Sequence, residues 1–235
     1  MKKTKIILCC ALASCFIAII AYSGYRIAEI RDDYKKEAEM RRAAMVYKPE
    51  PTPDDVNQGV IDLQAEHPDV VGWVTIPNTG IDYPFVRSKD NDYYLRRDLN
   101  GDYALAGTVF MDYRCQKDFT SQNTILYGHH MKNGSMFGTL KSFGGKDFFD
   151  NNEYGSIYLP RKSLTLAFFA YIVVNSSTEK EIYNAELSDE YFDYVKKNAR
   201  HYRDIGLTDS DRIVTLSSCA YEFDNARMVL LGKVL

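Results

Sequence analysis

Eight short apolar runs, separated by turn-forming residues, fill the chain from Gly72 almost to its last residue. They fall near 72–76 ("GWVTI"), 81–86 ("IDYPFV"), 107–111 ("GTVFM"), 123–128 ("NTILYG"), 154–159 ("YGSIYL"), 164–174 ("LTLAFFAYIVV"), 212–217 ("RIVTLS") and 227–234 ("RMVLLGKV"). Most are too short for helices, and Gly, Pro, Asn, Asp and Ser punctuate the gaps between them. Eight strands at this spacing predict a mainly β fold, a closed or nearly closed barrel. Between them, helical pieces fit 90–96 and 135–150. A stronger helix fits 188–201, where Ser188 caps an apolar face of Tyr191, Phe192 and Val195, and His201 would close the helix as a cation suited to its dipole. Before the first strand, Val56, Val60, Ile61 and Leu63 make a short amphipathic helix with Asp54 or Asp55 as its cap.

The N-terminus follows a different rule. Lys2, Lys3 and Lys5 precede an uncharged run from Ile6 to Tyr25. Twenty helical residues rise about 30 Å, close to the hydrocarbon thickness of a bilayer. Residues 1–25 therefore read as a cytoplasmic tail and transmembrane signal anchor. Six basic residues lie just past the span, from Arg26 to Arg42, so the orientation rests on the short tail and on the long following domain. Ala21 and Ser23 in "AYS" leave signal cleavage open. "LASC", Leu12 to Cys15, resembles a bacterial lipoprotein box. All three readings place the remainder outside the cytoplasm. Residues 26–54 read as a helical stalk followed by a linker in which Pro49, Pro51 and Pro53 stop the helix. Residues 55–235 then form the globular domain.

A formal net charge of −3 with no basic block argues against nucleic acid as a partner. Cys9, Cys10 and Cys15 belong to the apolar run, which leaves Cys115 and Cys219 in the domain. No C-x-x-C occurs there, so zinc and thioredoxin-like chemistry are disfavoured. The two are a disulfide or two unrelated thiols. Cys115 sits in the polar stretch "DYRCQKDF". Cys219 ends an apolar strand in "TLSSCAYEFDNAR", where a loop can expose the thiol while the strand holds it. A nucleophilic thiol needs a base or cation nearby and donors for the oxyanion. His129 and His130 end another strand, in "YGHHM", and an extended backbone points them in different directions. Arg227 opens an apolar strand. It is either paired with Asp224 or Glu222 at an edge, or a fixed guanidinium aimed at a substrate oxygen.

The ordered set "YGHH", "TLSSC" and "NAR" resembles the sortases, cysteine transpeptidases of Gram-positive surfaces. Ser218 stands where the family's TLxTC-type motif usually has threonine. The resemblance covers roughly residues 55–235. The helix before the barrel, the "YGHHM" form and the helix before the cysteine strand are most similar to class B. It implies an eight-stranded sortase-like β-barrel with Cys219 as nucleophile, His129 as the catalytic histidine and Arg227 as the family's arginine. It implies substrate contacts at Ser217, at Asn91 and Leu95 in "DNDYYL", and at Tyr183. It implies no metal and no cofactor. The implied partners are surface proteins carrying a C-terminal sorting signal, cleaved after threonine, and a peptidoglycan precursor or cross-bridge amine. A hydrolytic cysteine peptidase and a non-catalytic surface-binding domain are the rival readings. On the transpeptidase reading, replacing Cys219 or Arg227 abolishes turnover and His130→Ala retains much of it.

Overall fold

The structure, a computed structural model, describes residues 2–50, 55–220 and 224–235. The boundary expected near residue 54, with Pro51 and Pro53 of the linker, lies outside the described residues. The chain divides into a unit of residues 1–40 and a compact unit of residues 41–235. Within the first unit, the described residues all belong to helix α1 (Lys2–Ala44). From Ile6 to Tyr25 its side chains are exposed on every face. Apolar all round over this stretch, α1 is long and apolar enough to cross a membrane.

Among the described residues, the compact unit is built on nine strands: β1 (Val70–Thr75), β2 (Asp82–Val86), β3 (Val109–Met111), β4 (Asn123–Tyr127), β5 (Tyr154–Leu159), β6 (Lys162–Asn175), β7 (His201–Tyr202), β8 (Ile213–Cys219) and β9 (Ala226–Val234). Their order is β5-β1-β2-β3-β4-β8-β9-β6-β7, and a further β5–β6 pairing closes eight of them into a barrel. Closure removes the exposed edges of the sheet. The two-residue β7 adds to β6 outside the closed ring. Most pairs are antiparallel, whereas β2–β3 and β4–β8 run parallel.

The parallel β4–β8 pair sets the position of the site. Both strands end at the same rim, and antiparallel β9 begins there. Residues just after β4, the last residue of β8 and the first residues of β9 therefore meet, although about 90 residues of sequence separate the first two.

Helices cover the barrel on two sides. α2 (Gln58–Glu66) buries Val60 and Leu63 in a cluster with Val70, Trp73, Val86 and Phe110. Asn57, rather than an aspartate, precedes α2. Its amide does not cap the helix but donates to the Leu159 carbonyl at 2.6 Å, so α2 is tied to the β5–β6 turn. α3 (Lys146–Asn151) follows a 3-10 turn at Gly138–Gly144. α4 (Asp189–Asn198) is capped by Ser188, whose side chain accepts from the Tyr191 amide, and packs Tyr191, Phe192 and Val195 against Phe169, Ile213 and Val229. Each such buried side chain contributes about 1.5–3 kcal/mol. α4 is shorter than the expected 188–201. Its C-cap Ala199 is extended, Arg200 donates its amide to Tyr171, and His201 pairs with Tyr171 in β7. His201 therefore serves a strand, and its ring bonds the Gly144 carbonyl at 2.8 Å.

Candidate active site

Cys219 closes β8 directly opposite Arg227 on β9. The neighbouring Ala220 amide donates to Ala226 at 2.9 Å, which makes 219–227 a non-hydrogen-bonded pair. In such pairs the two side chains share a face with Cβ atoms about 4.5–5.5 Å apart. The ladder itself thus sets the Cys219 and Arg227 side chains on the same face. Arg227 also donates to the Ala226 carbonyl at 3.0 Å. Of the acidic neighbours weighed for it, Glu222 lies outside the described residues and Asp224 is exposed.

Ser217, two residues before Cys219, shares its strand face. It is 1% exposed, and its hydroxyl lies 3.0 Å from the Tyr183 hydroxyl. Burial pushes the Tyr183 phenol up, and the charges of Arg227 and Cys219 both reach it. A 3-10 turn (Glu181–Tyr183) around fully buried Ile182 carries Tyr183. Asn123 fixes the turn by donating to the Asn184 carbonyl at 2.8 Å, while its oxygen accepts from Thr215 at 2.7 Å. Ser218 keeps the hydroxyl of the motif and uses it on the Gly128 carbonyl, at 2.7 Å, joining the ends of β8 and β4.

The two histidines part company, as alternation predicts. His129 donates from Nε2 to the Leu95 carbonyl at 2.7 Å. Its pKa is lowered, first by burial and then by the charges of Arg96 and Arg227, against the pull of the Leu95 carbonyl. His129 thus shares an electrostatic field with Arg227. Among the described residues no hydrogen bond joins His129 to Cys219. Catalytic contacts are often loose before substrate arrives. His130 points the other way, and its Nδ1 donates to the Cys219 carbonyl at 2.9 Å.

Asn91 and Leu95 belong to one segment, which reaches His129 through the Leu95 carbonyl. A 3-10 turn (Tyr93–Arg96) begins where Asp90 accepts from the Asp92 and Tyr93 amides at 3.0 and 2.8 Å. Gly107 lets the following loop close on it: its φ is +57°, and a Cβ there would stand 2.6 Å from the Tyr94 and Leu95 carbonyls. Leu95 is partly exposed, and its carbonyl meets His129. The Asn91 amide is held at both ends, donating to Asp112 at 3.0 Å and accepting from the Tyr113 amide at 3.0 Å.

Asp112 is a residue that sequence reasoning missed. Fully buried, it accepts from Arg114 Nε and Nη2, both at 2.9 Å, from Asn91, and from the Tyr127 hydroxyl at 3.1 Å. Burial alone would raise its pKa, but the bonds from Arg114 and Asn91 outweigh it and hold the carboxyl below the usual range. The Tyr127 ring packs beside Tyr183, with centroids 6.2 Å apart. One network thereby links the Asn91 segment to the Tyr183 turn. Its only sequence signal is a charge, in "FMDYR", directly after an apolar strand.

Cys115 is free, as is Cys219, so no disulfide joins them. Cys115 is buried, donates to the Asn123 carbonyl at 3.4 Å, and has its thiol pushed up by burial. Such a thiol is inert, which leaves Cys219 as the partly exposed thiol of the barrel.

The barrel carries a partly exposed thiol at its rim, and comparison with known proteins places the chain among the cysteine transpeptidases. It is 33% identical over 243 residues to sortase B of Listeria monocytogenes, covering 99% of both chains. It is 28% identical to sortase B of Staphylococcus aureus, covering 93% of both. The crystal structure of sortase B from B. anthracis superposes with a TM-score of 0.76 at 31% identity, covering 86% of this chain and 98% of that one. No family model matches the chain. The chain belongs to the sortase B family.

Proposed function

We propose that this transpeptidase uses Cys219 as nucleophile, His129 as acid and base, and Arg227 as oxyanion donor, to join surface proteins to a peptidoglycan amine. The observation that carries the assignment is the Cys219–Arg227 pairing on the β8–β9 ladder, in a chain related over its whole length to sortase B. The Cys219 thiolate attacks the carbonyl carbon after a threonine in a C-terminal sorting signal. Electrons move onto the carbonyl oxygen, where Arg227 and backbone amides stabilise them. As the C–N bond breaks, protonated His129 gives its proton to the leaving amine. A thioester remains on Cys219. The acceptor amine attacks it, His129 takes a proton from that amine, and the C–S bond breaks to regenerate the thiolate. The thioester preserves acyl energy for the new amide.

Burial lowers the His129 pKa, so the imidazolium that donates the proton is a minor form near neutral pH. Turnover also needs the Cys219 thiolate, so the rate should follow the thiolate–imidazolium form and be bell-shaped in pH. Ser217, Tyr183, Asn91 and Leu95 would form the substrate groove, with an Asn-Pro-x-Thr-x pattern as the signal suggested by the family. Residues 1–25 would anchor the enzyme, 26–54 would space it, and 55–235 would act on the extracellular face. Confinement there raises the effective concentration of membrane-borne substrate and acceptor.

The test is product analysis of the full chain in detergent with quenched Asn-Pro-x-Thr-x peptides, with and without hydroxylamine. Transfer to hydroxylamine, with cleavage accelerated, is expected. Cleavage to free acid alone, unchanged by hydroxylamine, would make the enzyme a hydrolase.

A further inference from the structure

We propose that His130 is a positioning residue for the nucleophile: its imidazole supplies the missing rung between β4 and β8 that fixes the backbone of Cys219. The inference rests on the reading of Cys219 as nucleophile. The parallel ladder pairs Tyr127 with Ser217, and the Gly128 amide donates to the Ser217 carbonyl at 3.1 Å. In a parallel ladder the next such rung comes two residues later. It would run from the residue 130 amide to the carbonyl of residue 219. The backbone does not continue that way, because His130 turns to pair with Met136. The Nδ1 donor of the same residue meets the Cys219 carbonyl instead, at 2.9 Å.

The other side of Cys219 cannot do this work. In the non-hydrogen-bonded pair with Arg227, the Cys219 carbonyl points away from β9 and toward β4. Without the imidazole, the last carbonyl of β8 would lose this donor at the position that sets the Sγ direction. The ring has a built seat. A Cβ on Gly138 would stand 3.3 Å from His130 Cδ2 and 2.7 Å from the Met131 carbonyl, so a side chain there would crowd it. A Cβ on Gly128 would stand 2.6 Å from the Phe137 ring, which is fully buried under the turn. The two glycines let the chain leave β4 and return with the imidazole in place. The divergence has a second effect. It releases His129 from the ladder to face Leu95, so adjacent histidines divide the tasks of chemistry and placement.

The test compares His130→Phe with His130→Asn in the full chain, using the quenched Asn-Pro-x-Thr-x peptides. Asn places its Nδ2 donor as many bonds from Cα as the histidine Nδ1. With phenylalanine, kcat is expected to fall about tenfold or more, since small misplacements of a reacting atom are costly. KM should stay within about twofold, because the groove is untouched. Asparagine should restore most of kcat. This loss exceeds what the sequence alone suggests for His130, yet it stays short of abolition. Wild-type kcat in both variants, or equal loss in both with unchanged melting, would overturn the proposal.

Two measurements do not depend on the peptide. In histidine-labelled wild type, nitrogen NMR should show His130 protonated at Nδ1, and an Nε2–H tautomer would contradict the rung. Iodoacetamide should alkylate Cys219 at an altered rate in His130→Phe and at the wild-type rate in His130→Asn, and equal rates in all three would also contradict it. If wild type turns over none of the peptides, the substrate reading fails while these two results still decide the role of His130.

Discussion

Replacing Asp112 with alanine tests whether the buried network supports the site. The change removes the acceptor for Arg114, Asn91 and the Tyr127 hydroxyl at once. Breaking a buried ion pair costs about 3–5 kcal/mol. The Arg114 side chain is 48% exposed and can regain water, which favours the lower end. A loss of about 3 kcal/mol in a unit the size of residues 41–235 lowers Tm by roughly 6–12 °C. The pH dependence has a definite sign. The folded pKa of Asp112 is depressed, so its contribution is fully present above the unfolded carboxyl value of about 3.9. It is lost as pH falls through the folded value. Thermal melts of the full chain, followed by near-ultraviolet circular dichroism, should show a constant gap between wild type and Asp112→Ala from about pH 7 to pH 5 that narrows on further acidification. A gap below about 2 °C near neutrality would mean that the network carries little stability. A gap that persists at low pH would mean that packing, and not the carboxylate, is responsible.

The remaining expectations concern catalysis. Cys219→Ala should abolish peptide turnover, and Arg227→Ala should lower kcat by about 10² or more, as loss of an oxyanion donor does. Turnover retained in both variants would remove the ladder pair from the mechanism. Arg96→Gln removes a cation that lowers the His129 pKa, so the limb of the bell-shaped rate profile set by His129 should move to higher pH. A shift to lower pH would contradict the assignment of that limb to His129.

Much of this architecture is written locally in the chain. Apolar runs bounded by turn residues mark the eight barrel strands, and Ser188 with Tyr191, Phe192 and Val195 marks α4. "TLSSC" and "NAR" mark the pair that the ladder unites, because both lie on adjoining antiparallel strands. Longer-range features leave weaker marks. The parallel β4–β8 pairing depends on a crossover, and no periodicity encodes it. His201 carries the pattern of a helix end, but its environment is set by Tyr171 on a strand 30 residues earlier. Asp112 resembles an ordinary loop residue until Asn91 and Tyr127 converge on it from two directions. The opposite directions of His129 and His130 follow from alternation, but which one meets the Cys219 carbonyl is fixed only by the turn back to Met136.

Mass spectrometry of the full chain, quenched during reaction with an Asn-Pro-x-Thr-x peptide and mapped after proteolysis, tests the central chemistry most directly. The mechanism predicts an acyl adduct ending in threonine on the sulfur of residue 219, with residue 115 unmodified. Cleaved peptide with the label on another side chain, or cleavage that persists in Cys219→Ala, would show that a different group performs the attack.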